Sequence, residues 1–485
     1  MEDSATFACI SAFALACRFL RSLRRKQLNA SPFELFNPCE RRKFFTVKHD
    51  FCRDGVLPLW VADMELCTAP SIQAAIANRA RHPTFGYTIQ PSELWSRVAR
   101  WWRERHHWHG LQHEDFIFTS NLVASTVNGI RAFTKPNDAV AVLLPLYHPL
   151  QEAVEKSGRI LVTVHLKSVR KAPSSSDCTM PQLRYEIDFD ALRLAIKEQK
   201  VKLLIWCSPH NPGGRVWTRA ELKRVIAIAR EFNVFIISDE VHSDLVLPPT
   251  CTQDHSGADY IGRVWRPHTP LALVARDDCD CYPRVMTMAG PGKTWNLSGL
   301  HCSYVIITNP EVRSSYMRVV AHAFLHFGGT FATTALMAAY ANEAEAECTQ
   351  GVTVSRLPRA PGPWLDTVLI HIRDNVDYVQ DFVRRRLPLM RVMRPDATFL
   401  VWLDCTGLGL NATTTTTTNS PSLSPLVRFF LEEAKVMLSP GEEFGGVVTA
   451  QFMRLNVACP RWYLTEALHR IWRAYERRFG THSDK

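Results

Sequence analysis

A chain of 485 residues and 55.1 kDa, 46% hydrophobic and 21% charged, is long enough for two domains and too apolar for default disorder. Its net charge of +10 fits an anionic partner, but the excess is concentrated at Arg18–Lys26 and Arg41–Lys43 with no nucleic-acid module beside it, so no nucleic-acid partner is expected. Fourteen cysteines, including the lone Cys279-x-Cys281, lack the paired spacing of a zinc site or a disulfide framework, which points to a reducing, cytoplasmic compartment.

Residues 1–32 read as an N-terminal extension. Ala8–Leu20 is apolar, but Glu2 and Asp3 precede it and the basic cluster follows, the reverse of a secretory signal. Arg18 interrupts a run already shorter than the roughly 20 residues of a membrane span, so no membrane partner is expected. From about 115 to 310, short apolar runs alternate with amphipathic stretches such as Ala220–Phe232. Buried strands are predicted at Phe116–Thr119, Ala139–Leu144, Ile160–Val164, Leu203–Cys207, Phe235–Ser238 and Cys302–Ile307. That alternation implies an α/β domain with a mostly parallel central sheet. Beyond 311, helical patterns run through Val312–Asn342 and Trp364–Arg386, and the alternating Thr398–Asp404 predicts a strand of a smaller C-terminal α+β domain. Two insertions, 343–363 and 411–425, are rich in Glu, Pro, Gly, Ser and Thr and read as disordered surface loops.

Several segments carry chemistry. Gly290-Pro291-Gly292-Lys293 imitates a phosphate loop of the Walker type, but that motif needs a glycine where Thr287 stands. Asp239 ends an apolar run, the place in an α/β sheet where ligands bind, although a carboxylate there also serves as a helix cap or surface ion pair. The Pro/Gly-rich turn Ser208–Gly214 follows a strand and faces the same sheet edge. Phe118–Ser125 passes from strand to helix, where first-turn amides can hold an anion and Ser120 or Asn121 can cap. His106, His107, His109 and His113 read as an exposed turn rather than a metal site.

Taken together the segments resemble fold-type-I pyridoxal-phosphate (PLP) enzymes of the class I/II aminotransferase superfamily, and within them the MalY/PatB-type cystathionine β-lyases, or carbon–sulfur lyases. The matching pieces are Leu57–Met64, Phe85–Thr88, Pro145–Pro149, Ser208–Gly214, Ser238–Asp244, Lys293–Leu300, Asp396–Leu400 and Arg454–Asn456, in family order from about residue 33 to 475. The resemblance implies an arm at 33–74 belonging to the small domain, a large PLP-binding domain at 75–325 and a small domain at 326–485. It implies that Lys293 carries pyridoxal 5'-phosphate and moves the substrate Cα proton, and that Asp239 pairs with the ring nitrogen. Asn211 would bond the ring 3-oxygen, Tyr147 would stack on the ring, and His242 would join the cofactor shell. Amides near Leu122 and Val123 would hold the phosphate. Arg454 would clamp the carboxylate of an amino-acid substrate, helped by backbone at Val61 and Ala62. Tyr87 would reach the cofactor of the neighbouring subunit, implying a homodimer.

The implied reaction is β-elimination from cystathionine or a cysteine S-conjugate, giving a thiol, pyruvate and ammonia. The insertions and basic extension suggest a specialised relative handling bulky sulfur conjugates in fungal-type secondary metabolism. Two alternatives stay open: transamination, which uses the same lysine, aspartate and arginine, and a regulatory relative with weak or no catalysis. The sequence departs from the family at Gly290 and Gly292, where serines are frequent, at Asn121 for a common glycine, and at His301 for glutamine or arginine. These departures put phosphate affinity, not reaction type, in question.

Overall fold

The computed structural model describes residues 41–42, 44–171, 182–248, 268–279, 282–323, 327–348, 358–410 and 423–480. The expected extension at 1–32, the arm before residue 41 and the threonine-rich stretch at 411–422 lie outside the described residues.

Seven strands form the main sheet: β1 (Phe116–Thr119), β2 (Ala139–Leu144), β3 (Ile160–His165), β4 (Leu203–Cys207), β5 (Phe235–Asp239), β6 (Val285–Ala289) and β7 (Ser303–Ile306). Their spatial order is β1-β7-β6-β5-β4-β2-β3, with β7 antiparallel to both neighbours and the other pairs parallel. Strands β2, β4 and β5 are buried at every residue, which explains their unbroken apolar runs. Alternate residues feed opposite faces: Leu204, Trp206 and Ile236 enter one apolar cluster, Leu203, Ile205 and Ile237 the other. The sequence reading missed β6, whose Val-Met-Thr-Met-Ala offers only two β-branched residues. In consequence the C-terminal ends of β1, β2, β4, β5 and β6 meet along one sheet edge.

A second sheet contains β8 (Arg391–Met393), β9 (Leu400–Asp404), β10 (Ser439–Pro440) and β11 (Phe452–Asn456), all antiparallel in the order β8-β9-β11-β10. The helix Pro361–Arg386 buries Trp364, Leu365, Val368, Leu369, Ile372 and Val376 at helical spacing. Leu57–Pro58 pairs with Val436–Met437, so the chain ahead of the main sheet is tied to the C-terminal half.

Three expectations need correction. The stretch Val312–Asn342 is two helices, Pro310–His322 and Thr330–Ala339, with Gly328-Gly329 between them. The insertion 343–363 is ordered at both ends: Glu343–Glu347 is helical, with Asn342 and Glu345 in a capping box and Glu345 paired to Arg100 at 2.8 Å, and Pro361 opens the long helix. His106 is not in an exposed turn. It ends the helix Ser92–His106, is 3% exposed, and sets Nε2 2.8 Å from Asp244 Oδ1.

Candidate active site

The strand ends just described bound a cavity of about 320 Å³ between the two sheets. Lys293 reaches it because β6 turns abruptly into the short helix Pro291–Thr294. The turn is tight: a Cβ on Gly290 would lie 2.9 Å from Ser303 Cα, so glycine lets β6 leave the sheet against β7. Behind the lysine, Thr294 Oγ1 donates to Asp244 at 2.9 Å, and Trp101 Nε1 donates to the same carboxylate at 2.9 Å. The Lys293 amine itself donates to Ala62 O at 2.6 Å.

Asp239 ends β5, and its side chain accepts one hydrogen bond, from Val241 N–H at 3.3 Å. Asn211 sits in the turn after β4. That turn is locked to the second sheet, since Gly214 has φ +67 and a Cβ there would fall 2.3 Å from Pro395. Arg454, from the middle of β11, donates to Asn211 Oδ1 at 3.1 Å, to Trp60 O at 3.0 Å and to Ser439 Oγ at 3.1 Å. Its guanidinium also lies over the Phe444 ring, 4.7 Å from the centroid.

Burial governs the charges. It pushes the Lys293 ammonium down to about 8, against the pull of the Asp63 and Asp239 carboxylates. It pushes the Asp239 carboxyl up to about 6, although the Val241 amide and the Lys293 charge oppose the rise. Arg454 falls to about 10 and His242 well below its ordinary range for the same reason. Tyr147, also on the cavity wall, has its phenol pushed up by burial.

At the far end, the helix Leu122–Phe133 points its N-terminus at the cavity, and Asn121 caps it by accepting from Ala124 N–H at 2.8 Å. That cap leaves the first-turn amides of Leu122 and Val123 for an anion. Ser120, Ser298 and Ser303 line the same region with hydroxyls, and His301 with an imidazole. Carboxylate at one end, anion-binding helix end at the other and an amine of lowered pKa between them is the donor set a phosphorylated pyridine aldehyde needs.

Of the residues named from sequence, Lys293, Asp239, His242, Asn211, Tyr147, Leu122, Val123, Arg454, Val61 and Ala62 all line this one cavity. Tyr87 does not: it is fully exposed on the surface. Sequence reasoning missed Trp60 and Ser439, which hold the Arg454 guanidinium, and His148 and Glu443 on the wall. Trp60 stood inside a matched segment, whereas Ser439 and Glu443 carried no signal of their own.

Fold and site together define an enzyme of the aminotransferase-like PLP class. A family model described as "Aminotransferase class I and II" matches residues 61–471. The chain is 32% identical to the cystathionine β-lyase PatB of Bacillus subtilis, over 86% of its own length and 91% of that protein. It is 25% identical to protein MalY of Escherichia coli, covering 88% and 95%. Among solved structures it is similar to PLP-containing cystalysin from Treponema denticola, with TM-score 0.74 and 26% identity over 92% of this chain and 99% of that one. A PLP-bound C–S lyase from Staphylococcus hominis in complex with L-cycloserine gives TM-score 0.69 and 25% identity over 93% and 96%. The chain belongs to the aminotransferase class I and II family of pyridoxal-phosphate enzymes.

Proposed function

We propose that the chain is a carbon–sulfur β-lyase acting on cystathionine or another cysteine S-conjugate. With one water consumed, the products are a thiol, pyruvate and ammonia. The observation that carries the reading is the convergence of Lys293, Asp239 and Arg454 on one cavity, in a chain similar to PatB over most of its length. PLP supplies an aldehyde for the substrate amine and a ring that takes up the electron pair left on Cα.

The protein's own groups do the rest. Arg454 grips the substrate carboxylate, with its fork already oriented by Trp60 O, Ser439 and Asn211. Amides of Leu122 and Val123 hold phosphate. Asp239, its carboxyl pushed up to about 6 by burial, would pair with the ring nitrogen of the bound cofactor and so recover the cost of that burial. Lys293, with its pKa near 8, is neutral in a usable fraction at mildly alkaline pH and takes the Cα proton at Nζ. The Cβ–S bond then breaks and the sulfur leaves as thiolate.

We also infer a homodimer in the cytoplasm. Phe85, Tyr87, Ile89 and Phe327 form an exposed apolar group tied together by the Thr88–Gly328 bridge. A second copy covering them would bring Tyr87 to the neighbouring cofactor. The buried Cys52, Cys207, Cys302 and Cys405 are free thiols, in keeping with a reducing compartment. No helix among the described residues is long and apolar enough to cross a membrane.

The test is product analysis with L-cystathionine and a panel of S-substituted cysteines. Stoichiometric thiol and pyruvate support the lyase. A keto acid with aminated cofactor and no thiol selects transamination instead. Lys293→Ala removes both products, and retained thiol release would discard the assignment of that lysine.

A further inference from the structure

Residues Trp60–Met64 have no regular secondary structure, yet each of their five carbonyls accepts from a side chain. Trp60 O takes Arg454 at 3.0 Å and Ser439 Oγ at 2.9 Å. Val61 O takes Asn456 Nδ2 at 2.7 Å, and Ala62 O takes Lys293 Nζ at 2.6 Å. Asp63 O takes Asn456 Nδ2 at 2.5 Å and Lys48 Nζ at 3.2 Å. Met64 O takes Asn296 Nδ2 at 3.0 Å. The segment is thus a strap against which the reacting amine and the substrate-clamping guanidinium both rest.

A buried ion cluster anchors the strap from behind. Lys48, whose side chain is 0% exposed, lies 3.1 Å from Asp63 Oδ1 and 2.8 Å from Glu65 Oε1. Its ammonium also donates to Asp63 O at 3.2 Å. Arg41 completes the cluster, 2.6 Å from Asp63 Oδ2 and 2.7 Å from Glu65 Oε1. Burial alone would raise both carboxyls. Lys48 and Arg41 instead hold Asp63 below its ordinary range, and Lys48, a hydrogen bond with His49 Nε2 at 3.3 Å and Arg41 hold Glu65 at about 2. Two cations therefore balance two anions in a site from which unpaired charge is costly. Such a cluster does not stabilise a fold more cheaply than apolar packing would, so its place beside the active amine calls for a reason.

We infer that Lys48 is a positioning residue for Lys293: gripping Asp63 and Glu65, it fixes the Ala62 carbonyl against the Lys293 amine and balances the charge that amine experiences. The inference rests on Lys293 being the reacting amine. The charged and titratable groups around Lys293 are Asp63 and Lys48 from the arm, Asp239 and His242 at the end of β5, and Arg454 from β11. Asp63 raises its pKa and Lys48 lowers it. Loss of Lys48 and loss of the Asp63 charge must then act with opposite sign.

The experiment uses the full chain, freed of cofactor and then reloaded with pyridoxal 5'-phosphate across a pH series. Capture requires a neutral Lys293 amine, which adds to the aldehyde with loss of one water, so the midpoint of capture rate against pH reports that amine. Lys48→Met should move the midpoint up by roughly 0.5–1 pH unit, and Asp63→Asn should move it down. Lys48→Met with Asp63→Asn removes one cation and one anion that both act on Lys293, keeps the cluster neutral, and should return the midpoint towards wild type. This paired variant also serves if Lys48→Met alone folds poorly. Unshifted midpoints, or shifts of the same sign in Lys48→Met and Asp63→Asn, overturn the inference while leaving Lys293 in its role. Covalent capture surviving in Lys293→Ala would overturn both.

Discussion

Asp239→Asn should make the cofactor-free protein more stable while disabling the enzyme. Asp239 is buried, and with no cofactor its carboxyl is pushed from 3.8 to about 6. A folded-state pKa above the unfolded value means that the folded protein binds this proton more tightly. The contribution favours folding fully below about pH 4, and is lost as pH rises through about 6. A shift of about 2 units at 1.36 kcal/mol each makes the ionised carboxylate cost about 3 kcal/mol at pH 8. An asparagine of the same shape carries no such charge. Urea unfolding of the cofactor-free proteins should therefore show Asp239→Asn more stable by about 3 kcal/mol at pH 8, with the gain vanishing near pH 4. With PLP bound the order should narrow or reverse, because a ring N–H then pairs with the carboxylate. Thiol release should fall by about a hundredfold or more, as it does when a preorganised charge partner is removed elsewhere. Equal stability of the two cofactor-free proteins at pH 8, or a difference that does not change with pH, would refute this account of Asp239.

Arg454→Lys keeps the charge but loses the planar fork that Trp60 O, Ser439 and Asn211 orient. Steady-state kinetics should show kcat/KM lower by about tenfold to a hundredfold, chiefly through KM. His106→Ala removes the 2.8 Å partner of the buried Asp244 carboxylate, which keeps its Thr294 and Trp101 donors, and should destabilise the fold by about 1.5–3 kcal/mol, measurable as a lower urea midpoint. Gly290→Ala puts a Cβ 2.9 Å from Ser303 and should cost about 1–3 kcal/mol, whereas the nearest atom to a Cβ on Gly292 is Ser298 Oγ at an ordinary 3.5 Å. Thermal unfolding of the two alanine variants side by side should show the first destabilised and the second near wild type.

The departures noted at Gly290 and Gly292 take a particular meaning from the structure. Ser298 and Ser303 lie against these glycines and line the cavity themselves, with the Ser298 hydroxyl donating to Gly292 O at 3.1 Å, so serine hydroxyls still stand at the phosphate end. His301, with φ 49, is on the same wall. None of this could be read from the spacing of the motif, because the serines approach from a later turn and from the neighbouring strand β7.

What the linear chain determined by itself was local and chemical. Unbroken apolar runs gave strands β2, β4 and β5, since a parallel sheet covered on both faces demands them. Asp239 and the Ser208–Gly214 turn were legible because each lies at a strand end, where a parallel sheet exposes its ligand-binding edge, whereas Lys293 was marked only by the family resemblance of its segment. Tertiary structure alone decided which distant groups meet. Only folding puts Lys48 and Asp63 behind Ala62, stands Ala62 O against Lys293 Nζ, and closes Arg454 over Trp60 across 394 residues of chain. It also buries His106 on Asp244, where sequence placed an exposed turn. Long-range pairs of this kind leave no periodicity behind. Their partners are selected by burial, which makes an unpaired charge or donor expensive and so forces each one to find its complement.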